Sequence, residues 1–191
     1  MDILVTPNPI LHEKSKKVNK ITDETKKIVD EMIKNSLAWE KEHPYELSAA
    51  MAAPQLGFLK RIIIVREDME DKKNNSFLAL IDPEVIKTEG KMIKDYEGCL
   101  SVPTIYGLVP RPEKAKIKAK LIDGTEVRIK ASDSLARTLL HEIDHLDGVL
   151  FIDHIKDKKD AWFELDDKGE IVPIDYETRV KNNKDLFPDE D

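Results

Sequence analysis

In the stretch RTLLHEIDHLDGVLF, residues 137–151, two histidines stand four residues apart with a glutamate directly after the first. On a helix, positions four apart lie one above the other on the same face. His141 and His145 can therefore hold one metal ion between them. Glu142 projects beside them, close enough to exchange a proton with a water at that ion without binding the ion itself. This is the mechanical content of an HExxH unit. Leu139, Leu140, Ile143 and Leu146 make the surroundings apolar, and two unpartnered imidazoles on such a buried face would be costly. The apolar setting thus favours a shared metal over two surface histidines meeting by accident.

A catalytic site of this kind takes three protein ligands and keeps one position open. The longer pattern HExxHxxGxxH is followed as far as Gly148 and then fails, because position 151 is Phe. His154 lies past the expected helix stop and suits that pattern poorly. His12 and His43 sit among lysines and glutamates and read as surface residues. Cys99, in DYEGCLSVP, is the remaining candidate, and a soft thiolate suits a transition metal. Taken alone, an isolated cysteine is more often a small buried residue.

The elements that must bring these residues together are partly legible. The chain has 191 residues, 40% of them hydrophobic, a formal net charge of −7 and one cysteine. A chain of this length buries about 70% of its unfolded surface and needs no disulfide. The acidic balance argues against direct nucleic-acid binding. A single cysteine, no basic and apolar leader at the N-terminus and no apolar run of roughly 18 residues point to a cytoplasmic protein with no membrane span. TDETKKIVDEMIKNSLAWEKEH (22–43) is expected to be a helix capped by Thr22. RIIIVRED (61–68) reads as a buried strand, and FLALIDPEVIK (77–87) as a strand region broken at Asp82–Pro83. SAAMAAPQLGF (48–58) reads as a loop or extended segment. KAKIKAKLIDGTEVRIKA (114–131) predicts a hairpin turning at Asp123–Gly124. SDSLARTLLHEIDHLDG (132–148) predicts a helix with Ser132 as cap, ended by Gly148 in a left-handed conformation. Strands early and a helix late indicate an α+β domain. WFELDDKGEIVPI suggests a second hairpin, and the acidic end FPDED is expected to fray.

EGCLS (97–101) followed by HEIDHLDG (141–148), with AAPQ (52–55) in order upstream, resembles peptide deformylase, which removes the N-formyl group from nascent chains. The opening ILVTPNPILHEKSKKV and the link VPTIYGLVPR (102–111) are also similar to that family. The resemblance implies small antiparallel sheets around a central metal-binding helix, with a catalytic domain over 1–156 and a C-terminal extension over 157–191. It implies one divalent ion, Fe2+ natively with Zn2+, Ni2+ or Co2+ also accepted, held by Cys99, His141 and His145. Glu142 would be the general base and then the acid, with Gln55 and the backbone N–H of Leu100 steadying the oxyanion. Ser48, Ala49, Ala50, Glu97, Gly98 and Tyr106 would line the substrate site, and Glu97 would pair with Arg111. The implied partners are N-formylmethionyl peptides and, transiently, the ribosome, met by a monomer. Three departures stand out. Ser48 and Ala50 replace the glycines of the family pattern GxGxAAPQ, and Ala50 is expected to narrow the cleft. Leu140 stands where relatives commonly have Gln, and the tail lacks a basic helix. Two alternatives remain: a related protein with a changed cleft and weak or lost activity, or a metallopeptidase-like hydrolase.

Overall fold

The computed structural model describes residues 2–43, 46–69, 71, 73–166 and 169–187. Seven strands join into one sheet: β1 (Ala50–Ala52), β2 (Ile62–Arg66), β3 (Phe77–Cys99), β4 (Val102–Lys120), β5 (Glu126–Ser132), β6 (Trp162–Leu165) and β7 (Ile171–Pro173). All the pairings between them are antiparallel. The order is β1-β2-β3-β4-β6-β7, with β5 also on β4. The separate small sheets expected from the resemblance are joined because β4 is long enough to carry two partners. Its Lys114–Lys120 half pairs β5, while Ile105–Gly107 pair β6.

β2 is buried on both faces, and its alternate residues serve two different helices. Ile62 and Ile64 pack with Ile28, Val29 and Met32 of α1 (Asp23–Glu42). Ile63 and Val65 pack with Ala136, Leu139, Leu140, Ile143 and Leu146 of α2 (Asp133–Leu146). Fully burying one such isoleucine is worth roughly 1.5–3 kcal/mol, so this five-residue strand ties both helices to the sheet. A third cluster, including Leu11, Val102, Val109, Phe151, Ile155, Trp162 and Val180, fills the space beneath β4 and β6. The helix α3 (Tyr176–Arg179) follows β7.

Several details differ from the sequence reading. Asp82–Pro83 does not break β3. The ladder instead shifts register between Ile81 and Glu84, with Asp82 at φ 50°. There the Asp82 carboxylate accepts the N–H of Val18 at 2.7 Å. Residues 88–113 continue as the paired arms of β3 and β4, which the sequence did not indicate. Ser132 occupies the cap position of α2, but its side chain caps nothing. Gly148 ends the helix at φ 75°, as expected, and a Cβ there would stand 2.4 Å from the carbonyl oxygen of His12. The segment 48–58 supplies β1 and then a short 3-10 turn over Ala53–Leu56. No helix among the described residues is long and apolar enough to cross a membrane. The acidic end at 188–191 lies outside the described residues.

Candidate metal centre and active site

α2 delivers His141 and His145 from consecutive turns of one face, and the end of β3 delivers Cys99. One ligand atom from each lies within 4.8 Å of the others. The sulfur of Cys99 is 3.2 Å from Nε2 of His145. His141 directs Nδ1 to the Glu97 carboxylate at 2.9 Å, which turns its Nε2 toward the sulfur side. Both histidines are buried, and so is Glu142, whose Oε2 has no partner among the described residues. A soft thiolate beside two imidazoles on buried ground is a donor set that suits a divalent transition metal. The residues present fit one.

Charge organises the site. Burial raises the Cys99 thiol, but the charge of His145 and hydrogen bonds from both histidines outweigh it and bring the thiol down to about 5. The thiolate is the form that ligates metals. Burial pushes Glu142 up to about 7, against the pull of the two histidines. A carboxyl group in that range can both take and release a proton near neutral pH. Burial would also raise Glu97, yet hydrogen bonds from His141 and Arg111 hold it well below the usual carboxylate range. Arg111 grips Glu97 with two contacts of 2.9 and 3.0 Å, and Arg137 adds a third at 2.6 Å. Glu97 is thus the anchor that orients His141. The other end of Arg111 bonds Asp144, which also holds His154 at 2.7 Å.

Gln55 is locked by its own backbone turn. Its Oε1 accepts the N–H of Ala52 at 2.8 Å, so Nε2 must face the cysteine. That nitrogen lies 3.1 Å from Ser101 Oγ and 3.5 Å from the Cys99 sulfur. A cleft of about 530 Å³ opens over this group. It is lined by all six residues expected to contact substrate, and by Gln55, Leu100, Cys99, His141 and Glu142. β1 is the edge strand of the sheet and borders this cleft. The Tyr106 phenol reaches across to donate to Glu46 at 2.7 Å. A Cβ on Gly98 would meet the Tyr106 ring at 2.7 Å.

The departures from the family pattern resolve without strain. Neither Ser48 nor Ala50 adopts a positive φ, a region occupied among described non-glycine residues by Asp82, Thr104, Asp133 and Asn182. A serine and an alanine therefore stand here without the backbone strain that a positive φ would impose. The Ser48 hydroxyl is spent on Ser36 of α1 at 2.6 Å. Leu140 belongs to the apolar cluster under α2, so this flank of the site is dry. The sequence reading missed Ser101, whose N–H points at the sulfur from 3.4 Å, and Arg137. Arg137 was findable, because it precedes His141 by four positions on the same helical face. His43, read as an ordinary surface residue, instead stacks on Trp39 with ring centroids 4.1 Å apart and lines the cleft.

Known proteins are similar to this chain in sequence and in fold. A family model described as polypeptide deformylase matches residues 1–161. A peptide deformylase of Halothermothrix orenii is 43% identical over 148 residues, spanning 78% of this chain and 88% of its own. One from Thermomicrobium roseum is 36% identical over 173 residues, spanning 89% and 94%. Among solved structures, a peptide deformylase from Synechococcus elongatus in complex with actinonin aligns with a TM-score of 0.73 at 32% identity, covering 83% of this chain and 80% of that one.

Proposed function

The chain belongs to the polypeptide deformylase family, metal-dependent hydrolases that remove the N-formyl group from nascent polypeptides, and we propose which of its residues perform each step. Cys99, His141 and His145 hold the metal, with Fe2+ as the natural ion. When bound, such an ion supplies a Lewis acid that polarises the formyl carbonyl and makes a water acidic near neutral pH.

The chain's own groups do the rest. Glu142 takes a proton from the attacking water. The oxygen adds to the formyl carbon, and the carbonyl oxygen gains negative charge. The Nε2–H of Gln55 and the backbone N–H of Leu100 donate to that oxygen; one such donor typically lowers the barrier by about 3–4 kcal/mol. The C–N bond then breaks, formate leaves, and Glu142 hands its proton to the departing amine. The second proton of the water comes off as the formic acid product ionises to formate, and the new amine takes it up to become the N-terminal ammonium, so the proton count closes.

The edge position of β1 supports a peptide substrate. Its free edge borders the cleft, where an extended peptide can pair with the backbone of Ser48, Ala49 and Ala50. Glu97, Gly98 and Tyr106 form the opposite wall. The catalytic domain is residues 1–156, and 157–191 is a C-terminal extension, of which Trp162 and β6 pack against that domain. The enzyme works as a monomer in the cytoplasm, meets its substrates transiently at the ribosome and makes no direct contact with nucleic acid.

The buried Glu142 carboxylate, whose Oε2 has no partner among the described residues, stands beside three convergent donors and carries this reading. A site that served structure alone has no use for it, and this sets aside the reading of lost turnover. The test is formate release from formyl-Met-Ala-Ser by the metal-loaded enzyme. Glu142→Ala should keep its metal and lose about 10²–10⁴-fold in kcat, the usual contribution of general acid–base catalysis. An active Glu142→Ala variant would remove the glutamate from its role.

A further inference from the structure

A buried ion pair outside the metal centre has no part in the chemistry above. Glu40, in the last turns of α1, and Arg66, at the end of β2, are both buried and meet at 2.5 Å. Buried pairs of this type contribute little net stability compared with apolar residues of similar volume, and the best attested reason for keeping one is to fix a specific arrangement. Here the arrangement is visible. The same Glu40 oxygen that meets Arg66 also accepts the main-chain N–H of Ser48 at 2.8 Å. One turn earlier on α1, Ser36 holds the Ser48 hydroxyl at 2.6 Å. The main-chain N–H of Arg66 holds the carbonyl of Ala49 at 2.8 Å. The guanidinium is itself fixed, since it donates to the carbonyl of Asn74 and lies 4.8 Å from the centre of the Phe77 ring.

Three bonds, one to a side chain and two to the main chain, thus clamp Ser48 and Ala49 from behind. These residues form the wall of the cleft next to β1. We propose that Glu40 and Arg66 are positioning residues for peptide binding: they set the backbone of Ser48–Ala50 at the height and tilt at which it pairs with an incoming chain. The inference rests on the deformylase reading above and names what aligns its substrate. It also accounts for Ser48 where relatives have glycine. The side chain forms a second tether to α1, so a serine stiffens a segment that a glycine would leave looser.

The test uses the metal-loaded enzyme and formyl-Met-Ala-Ser, with metal content and thermal midpoint measured for every variant. Glu40→Ala removes the acceptor of the Ser48 N–H. It should raise KM by about tenfold, the equivalent of one lost hydrogen bond, while leaving kcat within about threefold. Glu40→Gln keeps an acceptor oxygen and should recover most of that loss. The double variant Glu40→Leu/Arg66→Met replaces the pair by apolar volume. Its thermal midpoint should return toward that of the parent while KM stays raised, which separates positioning from stability. A folded, metal-loaded Glu40→Ala enzyme with KM within about twofold of the parent overturns the proposal. So does a double variant in which KM recovers together with stability. Failure of both variants to fold would make the pair a requirement of the fold itself, and that also overturns it. Should the unmodified enzyme release no formate, the deformylase reading fails instead.

Discussion

Glu97→Gln tests whether one carboxylate organises the metal centre. The substitution preserves shape and removes charge. In the parent, Glu97 accepts from Arg111 at 2.9 and 3.0 Å, from Arg137 at 2.6 Å and from His141 at 2.9 Å. The side chain is 4% exposed, so solvent screens little of this. Arg111 keeps Asp144 as a counter-ion, but among the described residues Arg137 keeps only the carbonyls of Val109 and Ile93. Breaking a buried pair from one side costs about 3–5 kcal/mol. The surviving Asp144 contact and the amide's remaining acceptor oxygen place this case at the lower end, about 3 kcal/mol. For a domain of this size that lowers the thermal midpoint by about 6–12 °C. A second effect is specific to the metal. His141 loses the charged partner that fixes its ring, and losses of this kind typically weaken metal binding by about 10–100-fold. Urea unfolding of the metal-stripped protein measures the first effect, and chelator competition measures the second. If Glu97→Gln unfolds within about 1 kcal/mol of the parent and competes equally well for metal, the carboxylate is a bystander and the reasoning fails.

Cys99→Ser replaces a thiolate by a neutral hydroxyl, and its metal affinity should fall by more than the roughly 100-fold upper range of an outer-sphere loss; chelator titration reads this directly. Burial and the nearby Glu46 both raise the Tyr106 phenol above its ordinary value. It should therefore titrate above the usual tyrosine range of about 10, and Tyr106→Phe should delete that late component from the ultraviolet titration. The sign follows from linkage. The unfolded chain ionises first, so the stability this residue contributes is intact below about pH 10 and is lost as pH rises beyond it. Ser48→Gly removes the Ser36 bond and should cost about 1 kcal/mol in urea unfolding. Because the hydroxyl points at Ser36, this substitution should not raise kcat/KM; a clear gain would show that the serine does narrow the cleft.

The parts of this structure that were legible are those whose pattern is local. α1, α2 and β2 announce themselves through apolar periodicity, and the β4–β5 hairpin through Asp123–Gly124, where Gly124 does take φ 90°. The outer arms of β3 and β4 were invisible for an identifiable reason. Residues 85–88 and 90–96 of β3 are exposed, so no buried face imposes a two-residue alternation on their side chains. Their strand character comes from pairing with residues such as Lys116, Arg111 and Val109 across the ladder, and pairing leaves no mark on one strand read alone. At the site, HEIDH was legible from spacing, because both histidines and Glu142 share one helix. The joining of Cys99 to them is a long-range contact, and the motif order of relatives, not any spacing, pointed to it. The clamp on Ser48 escaped notice for the same reason. Serines twelve residues apart, on a helix and a loop, carry no periodic signal.

The placement of the donors explains why so many buried charges surround them. The two histidines ride on α2, which packs into the cluster with Ile63, Val65 and Ile117. Cys99 packs against the separate cluster of Val102, Val109 and Phe151. Ala53 and Leu56, which flank Gln55, belong to the third cluster with Met51 and Ile62. The centre therefore stands at the junction of three cores, and each core fixes one part of it. Apolar burial is non-directional: it brings three units together but leaves each free to slide slightly against the others. Charge-assisted hydrogen bonds have defined length and angle. Glu97 spans from β3 to Arg111 on β4 and to Arg137 and His141 on α2, so it sets the cysteine strand against the histidine helix. Glu40 spans from α1 to Ser48 and to Arg66 on β2, so it sets the cleft wall against the sheet. On this view the two buried carboxylates have one physical task, which is to convert loose contact between cores into fixed distances where a metal and a peptide must be held at once.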